Sequence, residues 1–211
     1  HDVDRLPMYG MPTWGDAFTA RQLVALTTFS DLVQEAREKV LADAKAMGWQ
    51  DDGIGLDGGS NSATAYADAL AVYLGFILSR TADWNNSLSR WESKAQVPQQ
   101  LYGRHAIAMA WDYSEANPLS SSTGSFMASV KNLELSFSKS CAGMVLEGNA
   151  VQDDARSQSI SENKVVSTDP PYYDNIGYAE LSDFFYVWLR RPMKTIFPNL
   201  FSTLAVPKAE E

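Results

Sequence analysis

Lys164-Val165-Val166-Ser167-Thr168-Asp169-Pro170-Pro171-Tyr172 is the stretch on which the reading of this chain turns. A short run, Lys164 to Thr168, is closed by an acid and two prolines, and a run of that length bounded by turn signals suits a buried strand. Upstream, Met144 to Leu146 is closed by Gly148-Asn149 and reads the same way. Downstream, Leu181, Phe184, Phe185, Trp188 and Leu189 follow the i, i+3, i+4, i+7, i+8 spacing of an amphipathic helix. Strand, connection, strand, polar loop, helix is the order found in a parallel α/β sheet. Two strands do not make a stable doubly wound domain, so the sheet is expected to be truncated here or completed elsewhere.

The loop itself has chemical content. Ligands of open α/β sheets bind beyond the carboxyl ends of the strands, which is where Asp169 to Tyr172 falls. Two prolines fix φ and donate no amide hydrogen, so the loop is stiff and presents carbonyl acceptors. Asp169 adds carboxylate oxygens and Tyr172 a flat ring. Acceptors beside a stacking ring suit a planar group that carries an amino donor.

The first two-thirds of the chain read as helices. Val33, Ala36, Val40, Ala44 and Met47 form one apolar stripe after Phe29, opposite Glu35, Arg37, Glu38, Lys39 and Lys45. Gly48 and the stretch Asp51 to Gly59 end that helix. A second starts near Ser60 to Ala63 and carries Leu70, Tyr73, Leu74, Ile77, Leu78 and Trp84 on its apolar side. A third is predicted from Pro98, as a first-turn proline, through Ile107 and Met109 to Trp111. Asn117-Pro118 and Ser120 to Ser125 break it, and a fourth spans Phe126 to Ser140. The division expected is a helical region over 1–140 and an α/β region over 141–211.

The 211 residues carry 17 basic and 26 acidic side chains, a formal charge of −9. Six Trp, nine Tyr and nine Phe demand burial and exclude disorder as the main state. The longest apolar run, Ala69 to Leu78, falls short of the roughly 18 residues of a membrane span, so no membrane partner is expected. One cysteine, Cys141, excludes an internal disulfide and a Cys-rich zinc site, and with no signal peptide in view it points to the cytoplasm. A net charge of −9 makes a poor general phosphate-binding surface, so cationic contacts to any nucleic acid come from a local patch or another part of the protein. The chain begins at His1, which reads as a fragment of something longer.

Asp169-Pro170-Pro171-Tyr172 after a strand resembles the signature of amino-methyltransferases that modify exocyclic nitrogens in DNA. The longer string through Tyr173-Asp174-Asn175 and Tyr178 to Leu181-Ser182-Asp183-Phe184-Phe185 is similar to large bacterial putative adenine-specific DNA methylases, some with a zinc ribbon. So are Phe18-Thr19-Ala20-Arg21-Gln22-Leu23, Trp111-Asp112-Tyr113-Ser114-Glu115-Ala116-Asn117-Pro118, and Pro207-Lys208. The resemblance implies a partial Rossmann-like methyltransferase sheet with a large α-helical insertion, and S-adenosyl-L-methionine as methyl donor. It implies DNA as partner, with transfer to N6 of a flipped-out adenine. Asp169 and the Pro170 carbonyl would accept from the amine, Pro171 would stiffen the turn, and Tyr172 would stack on the base. Tyr173, Asp174, Asn175 and Tyr178 would line the base pocket. Asn149 and Asp169 would meet the cofactor, although Gly148-Asn149 suits a plain capped turn equally well.

The glycine-rich turn that such enzymes use for the cofactor's methionine end is missing from the sequence, so a chain of this length is expected to be inactive alone and to need the remaining sheet. Gly53-Ile54-Gly55-Leu56-Asp57-Gly58 fits a dinucleotide fingerprint literally, but no strand precedes it, and it reads as an inter-helix loop. His105 lacks partners at ligand spacing. Arg190, Arg191 and Lys194 close the last helix, where they complement its dipole or meet phosphate. Two rival readings stay open: an RNA or other amino-methyltransferase, and a non-catalytic helical interaction module.

Overall fold

Thr19 opens the first long helix because its hydroxyl accepts from the Gln22 amide while Gln22 Oε1 accepts from the Thr19 amide, a reciprocal capping box. The structure, a computed structural model, describes residues 5–103, 106–140, 142, 143, 148, 151, 153–170 and 178–206. Four helices carry it: α1 (Ala20–Ala46), α2 (Ala63–Trp84), α3 (Phe126–Ser140) and α4 (Tyr178–Met193). Between α2 and α3 lies a hairpin of two-residue strands, β1 (Trp91–Glu92) and β2 (Val97–Pro98), paired antiparallel with Trp91 opposite Pro98.

α2 is the central helix, packed against α1, α3 and α4. It is buried along a face of small residues, among them Ala63, Ala67, Ala71, Gly75, Ser79 and Ala82, with Ile77 and Leu78 between them. Small side chains let backbones approach closely. At Gly75 a Cβ would stand 2.6 Å from Met193 Cε, so α4 crosses α2 at that point. Asp68 anchors the α1–α2 connection from the same helix. Its Oδ1 accepts from Arg37 Nε of α1 at 2.6 Å, and its Oδ2 accepts from the Leu56 amide at 2.9 Å.

The main core gathers around Phe184 of α4. Its ring meets Phe18, Trp14, Tyr102 and Phe185 at centroid distances of 5.1–5.8 Å. Leu6, Leu26, Leu78, Leu88, Ile107, Leu181 and Trp188 complete it. α4 therefore closes the core that the first half of the chain builds, and a second cluster of Val33, Ala71 and Ile196 extends it.

The expected α/β class is not what the structure shows. The fold is mostly helical, and the β1–β2 hairpin is the only sheet among the described residues, with no parallel Rossmann-like sheet. Lys164 to Thr168, expected as a buried strand, is exposed and unpaired, with Val165 at 102% and Val166 at 59% relative exposure. A strand gains its stability from neighbours on either side, and none of the described residues supplies one. Met144 to Leu146, the other expected strand, lies outside the described residues.

The helix expected from Pro98 to Trp111 is also absent among the described residues there. Pro98 instead sits in β2, and the chain beyond it is tied by single bonds: the Gln99 amide to Arg90 O, the Leu101 amide to Asp83 O, the Ser114 amide to Ser89 O. Ile107 still reaches the main core, but from an irregular segment. Among the described residues, no helix is long and apolar enough to cross a membrane.

Candidate functional site

Asp169 and Pro170 lie exposed at the end of the irregular segment 165–170. The Asp169 carboxylate makes no hydrogen bond or ion pair with the described residues, so its acceptor oxygens face water. It does not line the cavities at Trp49, Trp14, Arg21 and Phe76. Tyr178, the first residue of α4, is 43% exposed, and its carbonyl accepts from Ser182 Oγ at 2.6 Å. Pro171, Tyr172, Tyr173, Asp174 and Asn175 lie outside the described residues, as do Asn149, His105 and Cys141.

What the structure does place is α4, the helix that follows in sequence. Five residues into α4, Asp183 is buried and accepts from the Val206 amide at 2.7 Å, while Leu181, Phe184 and Trp188 enter the main core.

The basic residues at the end of α4 are occupied within the protein. Arg190 Nε donates to Thr203 O at 2.6 Å, and Arg191 pairs with Asp31 of α1. Both are drawn into tertiary contacts, and Arg191 and Lys194 are exposed. The glycine-rich stretch 53–58 is an inter-helix loop in which Leu56–Gly58 makes one 3-10 turn. Asp51 holds this loop to α2 by accepting from the Thr64 amide at 3.1 Å, and pairs with Lys45 at 2.7 Å. Those hydrogen bonds hold its carboxyl well below the usual carboxylate range.

The structure brings together two stretches that sequence reasoning singled out but did not connect. Arg21, near the start of α1, meets Glu115 bidentately: Nε lies 2.8 Å from Oε1 and Nη2 lies 2.7 Å from Oε2. Glu115 raises the guanidinium's already high pKa further. Behind this pair is a cavity of about 210 Å³ lined by Arg21, Gln22, Ala25, Leu26, Asn85, Glu115, Ala116 and Pro118. The Thr19-x-x-Gln22 capping pattern was readable in the sequence. The pairing with Glu115, 94 residues away, carries no local signal. Trp111, in the same stretch as Glu115, is exposed.

The described residues do not fit a whole S-adenosylmethionine. None of the cavities at Trp49, Trp14, Arg21 and Phe76 adjoins Asp169, and the glycine-rich stretch 53–58 is committed to the α1–α2 connection. Comparison of the chain with known protein families, with curated proteins and with solved structures finds no match.

Proposed function

We propose that this chain belongs to an S-adenosylmethionine-dependent DNA amino-methyltransferase acting on N6 of adenine, and that it supplies the helical body carrying the amine-gripping loop. One observation carries the reading. Asp169 and Pro170 are exposed, and among the described residues no donor occupies the Asp169 carboxylate.

The chemistry asked of these residues is modest. The lone pair of the adenine amine is delocalised into the ring, so the nitrogen is a poor nucleophile. Acceptors aimed at its two hydrogens, the Asp169 carboxylate and the Pro170 carbonyl, favour the pyramidal form and stabilise positive charge growing on nitrogen. Asp169 need not be a strong base, because the nitrogen becomes acidic once alkylated. A base reaches such a loop only after leaving the duplex stack. Cofactor binding falls to residues outside the described set. The chain on its own is accordingly expected to show no measurable S-adenosylmethionine binding by calorimetry.

The test is transfer of tritiated methyl groups by the intact protein to DNA and, separately, to RNA, followed by nucleoside digestion. Label in N6-methyl-2′-deoxyadenosine from DNA supports the reading, and label confined to RNA moves the activity to the RNA class. The helical fold favours one second reading, a non-catalytic interaction module, and absence of label from both nucleic acids supports it.

A further inference from the structure

Tyr66, Tyr73, Phe76 and Arg80 are the residues of α2 that stand exposed: three rings and a cation, on the side where a surface helix ordinarily carries a mixture of polar and charged groups. The two acids of the same helix are held by other partners. Asp68 accepts from Arg37 and the Leu56 amide, and Asp83 Oδ1 accepts from the Tyr102 amide. α3 packs beside this face, and between the two helices lies a groove of about 140 Å³, lined by Phe76 and Arg80 of α2 and by Asn132, Leu133 and Ser136 of α3. At its edge the Phe137 ring of α3 meets Tyr73 at a centroid distance of 4.6 Å, and Tyr73 meets Phe76 at 6.5 Å. All three rings keep more than a third of their surface in water.

The charge of the surface is opposite to that of the molecule. The chain carries −9 overall. Elsewhere Arg21, Arg37, Lys39, Lys45 and Arg191 each hold an acid. Arg80, Lys131 and Lys139, the cations of α2 and α3, form no ion pair with the described residues, and all three are exposed. Glu134, the one acid of α3, does not line the groove. Lys139 follows Asn132 and Ser136 at i+7 and i+3, so it continues their side of the helix. Half-exposed rings flanked by free cations suit an anionic chain with planar groups along it, and a single-stranded polynucleotide has that form: every base has a face to stack, and every linkage is a phosphate. A duplex keeps its base faces covered.

We propose that the α2–α3 groove is a track for single-stranded nucleic acid, in which bases stack on Tyr73, Phe76 and Phe137 while Arg80 and Lys139 meet phosphates. The track supplies the local cationic patch that so acidic a chain needs for any such partner. Asp169 takes no part, so strand binding and methyl transfer are read by separate measurements and either can fail alone.

The probes are fluorescein-labelled 12-mers of mixed sequence, as single-stranded DNA, as RNA and as duplex DNA, titrated with the chain and followed by anisotropy. Saturable binding of a single strand, tighter than that of the duplex, is expected, and the tighter of the DNA and RNA strands names the partner. Phe76→Ala is expected to weaken binding about tenfold at an unchanged melting temperature. Arg80→Gln removes no packing, and it is expected to lower the slope of log affinity against log salt by about one. Should Phe76→Ala fail to fold, Arg80→Gln and the single-strand preference decide. Lys39→Gln removes the same charge from the outer side of α1 and is expected to leave binding unchanged. No saturable binding, a duplex bound as tightly as the single strand, or equal losses for Arg80→Gln and Lys39→Gln would each overturn the proposal. So would a dimer of the chain in sedimentation that the oligonucleotide cannot dissociate and that Phe76→Ala abolishes, since a second copy would then cover the face.

Discussion

Single side chains in this protein are held in arrangements that differ sharply in cost. Ser30, in the middle of α1, is 1% exposed and its hydroxyl has no partner. Ser30→Ala removes an unsatisfied buried oxygen and improves helix propensity, so it is expected to raise the unfolding free energy by about 1 kcal/mol. Urea titration checks this, and a lower midpoint would show that the hydroxyl is paired in solution. Asp83 is the opposite case. Burial raises its carboxyl pKa above the ordinary 3.8, although the Tyr102 amide donates to Oδ1 at 3.0 Å. A raised folded pKa means that the ionised form is the disfavoured one. The penalty is fully present above the folded pKa and disappears as pH falls toward 3.8. Asp83→Asn keeps the acceptor and removes the charge. It is expected to melt higher than the unaltered chain at pH 7, with an advantage that shrinks as pH drops through the carboxylate range. An advantage independent of pH would contradict the burial account.

The elements were legible in the sequence where large apolar residues repeat at helical spacing, and illegible where the fold relies on something else. The periodicity Leu181, Phe184, Phe185, Trp188 and Leu189 predicts α4; Leu181, Phe184 and Trp188 are buried in it, with Tyr186 and Met193 beside them, while Phe185 and Leu189 are half-buried. α2 was readable as a helix, but not by its buried face. Tyr73, expected inside, is exposed, and the packing side is the row of alanines around Gly75. Small residues carry little hydropathy, so a face made for close approach is quiet in the pattern. Gly75→Leu tests it directly: a side chain there meets Met193 Cε and Pro192 Cγ, and the overpacking is expected to cost about 2 kcal/mol. Unchanged stability in calorimetry would mean that α4 does not cross α2 at this point. Pro98 was misread for a related reason. A proline suits a helix's first turn and an edge strand equally, and only the pairing with Trp91 chooses between them.

At the scale of the whole molecule, contacts distant in sequence make the fold. Phe184 joins rings from Trp14, Phe18 and Tyr102, so the start, middle and end of the chain meet at one side chain. Phe184→Ala is expected to destabilise by about 4 kcal/mol and to lower the melting of all four helices together. A separate transition for α4 would show that it is a satellite rather than a closing element. The same distance hid the Arg21–Glu115 pair and the cavity behind it, because neither stretch has a local period that points to the other. The run Lys164 to Thr168 shows the converse. Local composition suggested a strand, but among the described residues Val165 and Val166 have no neighbour to pair with, and they stand in solvent. The amine-gripping role proposed for the loop that follows rests on its acceptors. The most direct measurement is methyl transfer to DNA by the intact protein bearing Asp169→Ala or Asp169→Asn. The account predicts a loss of about a hundredfold or more for alanine at unchanged melting, with asparagine, which keeps one acceptor oxygen, retaining more of the activity. Transfer by Asp169→Ala at the rate of the unaltered protein would contradict it.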